Sequence, residues 1–120
     1  MLINIYTYGL KYKKAYLLDI DLDARILVNP YYDLNLRSLN GKDSDVANYI
    51  LNDSKTSRYL FHLKSFLDFY LFNINKEIIN VGIHCTGGYH RSVFVAEYLK
   101  KTYINLNIVV HHLELGDRYA

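Results

Sequence analysis

Tryptophan is absent from this chain of 120 residues, and cysteine, proline and methionine occur once each. The lone Cys85 excludes an intrachain disulfide framework and suits a reducing compartment. With one proline and six glycines there is no Pro-, Gly- or Ser-rich linker, and no internal repeat is visible. Residues 1–120 therefore read as one domain. No apolar run reaches the roughly 18–20 residues that span a bilayer; the best candidate, residues 66–72, is interrupted by Asp68. Residues 1–10 lack a basic cluster followed by an apolar stretch, so no secretory signal is read. Excess charge of one sign is also missing. Fourteen Lys plus Arg face 12 Asp plus Glu, a formal +2, too little to announce a nucleic-acid binder by bulk charge. No Gly-rich Gly-Lys-Ser/Thr motif occurs in these residues, so nucleotide hydrolysis on a P-loop is not expected of them. Zinc spacing is absent, because Cys85 stands alone beside His84 and His111 adjoins His112, where ligands need separations of several residues. The expectation is a cytoplasmic protein with no metal, no cofactor and no membrane partner.

What is present is a chain 51% hydrophobic and 22% charged, enough to bury a core and too apolar for a disordered tail. Its 13 tyrosines are spread along the whole length. Together with abundant Asn, Ile and Lys they follow A/T-rich codons, a simpler account than an RNA-stacking surface.

Periodicity outlines the elements. Residues 2–6 alternate apolar and polar and stop before Gly9, a first strand. Residues 16–22 place Tyr16, Leu18, Ile20 and Leu22 two apart with acids between, a second strand. Residues 23–43 hold Asn29-Pro30 and Asn40-Gly41 and little periodicity, which predicts a long ordered loop of the kind that carries function. Residues 45–51 form a short helix capped by Ser44 or Asp45. A longer helix over 57–74 puts Leu60, Leu63, Leu67, Tyr70 and Leu71 on one face. Residues 78–83 are a nearly continuous apolar run, a strand buried on both faces. A helix over 91–103 and a fourth strand over 107–110 complete an α/β class: a small, mainly parallel sheet with flanking helices.

The chemistry concentrates in His84-Cys85-Thr86-Gly87-Gly88-Tyr89-His90-Arg91-Ser92, between a buried strand and a helix start. Gly87 and Gly88 let the backbone curl so that successive N–H groups face inward as an anion nest. The following helix N-terminus adds positive potential. Arg91 can clamp a phosphate or carboxylate, and Thr86 and Ser92 supply hydroxyls. Physical reasoning alone makes this an anion-binding loop, against the blander reading of a glycine turn with a buried cysteine and a solvated arginine.

Two resemblances meet here. His-Cys, five residues, then Arg-Ser is similar to the signature of cysteine-dependent phosphatases. That likeness implies Cys85 as nucleophile, Arg91 as phosphate clamp and an aspartic general acid, for which Asp23, Asp43 and Asp53 are candidates. The second resemblance covers residues 3–114. Cys85-Thr86-Gly87-Gly88-x-His90-Arg91-Ser92-Val93 resembles the signature of the C-terminal domain of the RapZ family of nucleotide-binding RNase adapters. Tyr8-Gly9-Leu10-Lys11-Tyr12, Asp23-Ala24-Arg25 with Asn29-Pro30-Tyr31-Tyr32, and Leu36-Arg37-Ser38-Leu39-Asn40-Gly41-Lys42-Asp43 resemble upstream family elements in the right order. Glu97 and His111 fall where the pattern expects Glu and His.

This second resemblance implies a sensor domain that binds an amino-sugar phosphate, glucosamine-6-phosphate in studied members, without converting it. It implies an α/β fold reminiscent of a phosphofructokinase subdomain, a homodimer, small RNA as a partner in some members, and a P-loop kinase-like domain, here expected as a separate protein. Carried over by residue, Thr86, Gly87, Gly88, His90, Arg91 and Ser92 form the phosphate cup. Asp23, Arg25, Arg37 and His111 complete the ligand pocket. Asp23 with Arg25 equally suits an ion pair on a strand edge, Arg37 a solvated loop charge, His111 and His112 packing on a strand end, and His62 an ordinary helical residue. His84 stands where the family has Gly, Ser38 where Pro is usual and Asn40 where Thr is usual, and Lys13 and Lys14 replace a glycine-containing turn. An RNA face would have to be assembled from Lys11, Lys13, Lys14, Lys100 and Lys101, and residues 113–120 lack the basic tail that strengthens RNA binding.

Overall fold

A computed structural model of the chain describes residues 1–12 and 17–116. Four strands, β1 (Leu2–Gly9), β2 (Ile20–Asp23), β3 (Ile78–Cys85) and β4 (Ile108–His112), form one sheet in the order β2-β3-β1-β4. Every pairing is parallel. Three helices, α1 (Ser44–Leu51), α2 (Ser54–Asn73) and α3 (Arg91–Thr102), connect them.

The core lies between one sheet face and the helices. Ile3, Ile5, Ile79, Val81 and Ile83 meet Val46 and Ile50 of α1, Leu60, Leu63 and Leu67 of α2, and Val95 and Leu99 of α3. The leucines of α2 recur at spacings of three and four, so they share one stripe. On the other sheet face Asn4 and Asn80, paired in register on β1 and β3, bond through their side-chain amides at 3.2 Å. Leu18 lies over Gly82, where a Cβ would sit 2.5 Å from Leu18 Cδ1.

Several elements differ from the sequence reading. The first and third strands each run further, to Gly9 and Cys85, because their parallel pairing continues through Tyr8↔His84 and Gly9↔Cys85. The second strand begins at Ile20 rather than at 16. At Asp19 the chain bends just before the strand: its N–H donates to Asn80 O at 2.7 Å, while its carboxylate accepts the Asn80 N–H at 2.8 Å and ion-pairs with Lys76. Tyr16 lies outside the described residues. The α2 helix starts a turn earlier than 57 because Asp53 caps it, accepting the Lys55 N–H at 2.9 Å. The α1 cap position is Asp43, not Ser44 or Asp45; its side chain accepts from Asn40 N–H at 2.8 Å, so it closes the preceding turn instead. The fourth strand extends to His112, and its hydrogen-bonded neighbour is β1. The connection through α3 therefore passes over one strand.

The stretch between β2 and α1 is ordered, as expected of it. Ala24, Leu27, Pro30 and Leu36 are buried, and Asn29 caps a short 3-10 turn over Pro30–Tyr32 by accepting the Tyr31 N–H at 3.1 Å. Ile83 is fully buried at the centre of the sheet. Ile83→Ala should lower stability by about 2–5 kcal/mol, read as a reduced urea midpoint at unchanged m-value.

Candidate functional site

At the carboxyl ends of β1 and β3, where open parallel sheets place their ligands, the chain makes the turn from Cys85 to Arg91. Gly88 takes φ +80°, a left-handed conformation that favours glycine. A Cβ there would lie 2.4 Å from Gly9 N and 2.5 Å from Glu114 Cγ, so β1 and the segment after β4 press against the turn. Gly41 packs from the other side, where a Cβ would lie 2.3 Å from His90 O. The turn is held by its outward carbonyls: Gly41 N–H donates to Tyr89 O at 2.8 Å and Lys11 N–H to Thr86 O at 3.4 Å. Glu114 Oε2 accepts the Gly9 N–H at 3.0 Å.

Two buried side chains give the turn its electrostatic character. Arg91 is 6% exposed; its Nη1 donates to Arg25 O at 2.7 Å and Leu27 O at 3.1 Å, while its Nε has no partner. His90, 7% exposed, leaves Nε2 without a partner. Buried polar atoms are nearly always satisfied, so two orphans beside one helix N-terminus set this turn apart. His90 occupies the cap position of α3 and makes no side-chain cap bond. Behind the turn, Cys85 Sγ accepts the Ser92 N–H at 3.4 Å and lies 3.3 Å from Ser92 Oγ.

A cleft of about 860 Å³ opens over this turn. It gathers Cys85, Thr86, Gly87, Gly88, His90 and Arg91 with Arg37 of the long loop. Arg37 is exposed, as a loop charge would be, and it is also held in place: its guanidinium lies 4.3 Å from the Tyr31 ring centre and its Nε donates to Tyr31 O at 3.0 Å. Ser92 sits behind Cys85, fully buried, and does not line the cleft. The sequence reading missed Lys11, Asn29, Tyr31, Tyr32, Asn40 and Glu114 as lining residues. Asn29-Pro30-Tyr31-Tyr32 and Asn40-Gly41 stand out in the sequence as turn signals and as elements of the family resemblance, with nothing local to place them at the turn.

Asp23, Arg25 and His111 lie elsewhere. Asp23 and Arg25 form the strand-edge ion pair, 2.7 Å between Arg25 Nη2 and Asp23 Oδ2, both about half exposed. The Arg25 side-chain bond holds the Asp23 carboxyl down at about 2 against burial acting the other way. His111 stacks on Tyr6 with ring centres 4.6 Å apart, and its Nε2 lies 3.2 Å from Asn4 Oδ1. The histidine that meets Glu97 is His112: its Nε2 is 2.7 Å from Glu97 Oε2, and its Nδ1 is 2.8 Å from Thr7 Oγ1. His84 lies between two carboxylates, 3.1 Å from Asp21 and 3.5 Å from Asp23. Tyr8 donates to Asp21 at 2.6 Å; burial, then that bond, pushes the phenol well above its ordinary range. None of Asp23, Asp43 and Asp53, the suggested general acids, lines the cleft. Lys11 lines it, whereas Lys100 and Lys101 occupy the last turn of α3, at its far end. Lys13 and Lys14 lie outside the described residues. His62 is an exposed residue of α2.

Comparison with known proteins gives a consistent assignment. Residues 1–116 match the family model of the RapZ C-terminal domain. A nucleotide-binding protein of Nitratidesulfovibrio vulgaris is 41% identical over 121 residues, 95% of this chain and 41% of the relative. One from Thermodesulfovibrio yellowstonii is 39% identical over 122 residues, 94% and 42% of the two chains. One from Staphylococcus aureus is 39% identical over 127 residues, 97% and 42%. The chain thus spans about two fifths of the length of the curated relatives it matches.

Asp23 offers a pH test of the strand-edge pair. Its folded value near 2 lies below the ordinary 3.8, so its contribution is complete above about pH 4 and is lost as pH falls through 2. Solvent screening limits it to below about 1 kcal/mol. Asp23→Asn should therefore flatten the acid limb of a stability–pH curve between about pH 4 and 2 and lower stability slightly at pH 7.

Proposed function

The chain belongs to the RapZ C-terminal domain family, and from that premise we propose that it is a regulatory domain that binds a small phosphorylated metabolite without converting it. The observation that carries this reading is the pair of buried, unpartnered donors, His90 Nε2 and Arg91 Nε, beside the N-terminus of α3. An anionic ligand supplies the missing acceptors and matches both the guanidinium charge and the helix dipole. A phosphate fits the glycine turn, where Gly87 and Gly88 let a ligand approach the backbone closely. The remainder of the ligand lies against Asn29, Asn40 and Glu114 on one side and Tyr31 and Tyr32 on the other. Amides and a carboxylate suit hydroxyls and an amine, and tyrosine rings suit the apolar face of a sugar. An amino-sugar phosphate such as glucosamine-6-phosphate is the best match to that set, with Thr86, Gly87, Gly88, His90 and Arg91 at the phosphate and Arg37 bracing the Tyr31 wall.

A second reading rests on Cys85, a residue of the cleft lining whose sulfur takes Ser92 as its neighbour. It makes the site a cysteine phosphatase, with Cys85 attacking phosphorus and Arg91 holding the oxygens. The two readings separate on one substitution. Cys85→Ser leaves metabolite binding intact in a sensor and abolishes phosphate release in a phosphatase.

Calorimetric titration tests the proposal. Glucosamine-6-phosphate should bind saturably, and glucosamine should not. Glucose-6-phosphate should bind more weakly by about tenfold, the worth of one charged hydrogen bond. Arg91→Ala should remove binding of every phosphorylated ligand. No heat from any sugar phosphate at millimolar concentration refutes the metabolite assignment, and phosphate release that depends on Cys85 favours the phosphatase.

A further inference from the structure

A second concavity, of about 590 Å³, lies between α2 and the end of β2 with the turn that follows it. Its floor is apolar: Leu22, Ile26 and Phe66 line it, with Ile26 64% and Phe66 46% exposed. Its rim is cationic. Lys55, Arg58 and His62 line it at spacings of three and four along α2, so they and Phe66 make one stripe on the helix surface. No carboxylate of the described residues pairs with the Lys55 ammonium or the Arg58 guanidinium. The one acid in the lining, Asp23, is already engaged by Arg25. Beyond Phe66 the apolar strip continues to the exposed Phe69.

We infer that this groove docks an acidic peptide segment of a partner protein, with apolar anchors on Ile26 and Phe66 and carboxylates against Lys55 and Arg58. Charge complementarity selects this occupant. Unpaired cations along a rim call for acids, and a large exposed apolar floor calls for buried side chains. A nucleic acid brings the negative charge without the aliphatic anchors. A lipid surface calls for a cluster of about four to eight Lys or Arg, where this rim offers Lys55 and Arg58.

The groove is also wired to the cleft. Arg91 Nη1 holds Arg25 O and Leu27 O, the two carbonyls that flank Ile26, and the Tyr59 hydroxyl of α2 donates to Asp23 O at 2.8 Å. An anion that engages Arg91 therefore acts on the turn that forms one wall of the groove, which makes the groove the output surface of the sensor. This link, unlike the docking itself, rests on the anion-binding reading of the cleft.

Fluorescence anisotropy with a fluorescein-labelled peptide of sequence ELEEFLEELE tests the inference. The comparison probes are KLKKFLKKLK, a labelled oligouridylate and phosphatidylglycerol vesicles. The acidic peptide should bind, and Lys55→Glu with Arg58→Glu should weaken it at least about tenfold. Ile26→Ser should weaken it without touching charge. Far-ultraviolet circular dichroism of both variants should match the parent, since all three positions are exposed. Acidic-peptide binding that survives both variants overturns the proposal, as does binding of only the oligouridylate or the vesicles. Inorganic phosphate should shift the peptide affinity in the parent and not in Arg91→Ala. A protein that binds phosphate with no such shift overturns the link. A protein that binds the peptide but no phosphate defeats the cleft reading and leaves the groove standing.

Discussion

Arg91 is a buried cation that pairs with no carboxylate among the described residues. Removing a guanidinium from water is costly unless hydrogen bonds and opposite charge compensate. Here two backbone carbonyls compensate in part, those of Arg25 and Leu27. The rest of the local structure arranges itself around the remainder. The long loop after β2 is drawn inward to supply those carbonyls, and the helix that carries Arg91 starts at the end of the central strand pair. The Nε edge has no partner.

Parallel pairing explains why this happens at one end of the sheet. Strands that run the same way deliver their carboxyl ends to one edge, so Gly9 and Cys85 arrive side by side in register. Backbone then meets backbone too closely for side chains, and Gly9, Gly41 and Gly88 all stand where a Cβ would collide with a neighbouring main chain. Three segments distant in sequence are thereby clasped around one turn. Polar networks continue the same edge on both sheet faces, Thr7–His112–Glu97 on one and Tyr8–Asp21–His84 on the other. They tie β4 and β2 to the central strands.

Much of this was readable in the residues. The α/β class followed from strand and helix periods that alternate along the chain, and α3 was placed within one residue because Arg91 follows a glycine turn and the apolar run that starts at Val93 fixes its face. The anion turn was readable because glycines, hydroxyls and an arginine sit within one short stretch. Strand ends were less legible: Tyr8, His84 and His112 are polar or aromatic residues whose strand conformation comes from a neighbouring strand's hydrogen bonds, not from their own pattern. Asp19 shows the converse, an alternating residue that stays outside the strand: its backbone N–H reaches Asn80 O, and its carboxylate takes the Asn80 N–H and Lys76.

Sequence alone determined the class of fold and the chemical character of the turn between Cys85 and Arg91, since each depends on residues close together in the chain. Only the tertiary structure decided which distant residues join that turn. It brought Arg37, Tyr31 and Glu114 to the cleft and left Asp23, Arg25 and His111 outside it. It also turned the stripe of Lys55, Arg58 and His62 into the rim of a groove by setting Ile26 across from it. The reason is physical: membership of a site is a matter of loop paths and strand order, which the packing of the whole sheet fixes, and no local spacing encodes it.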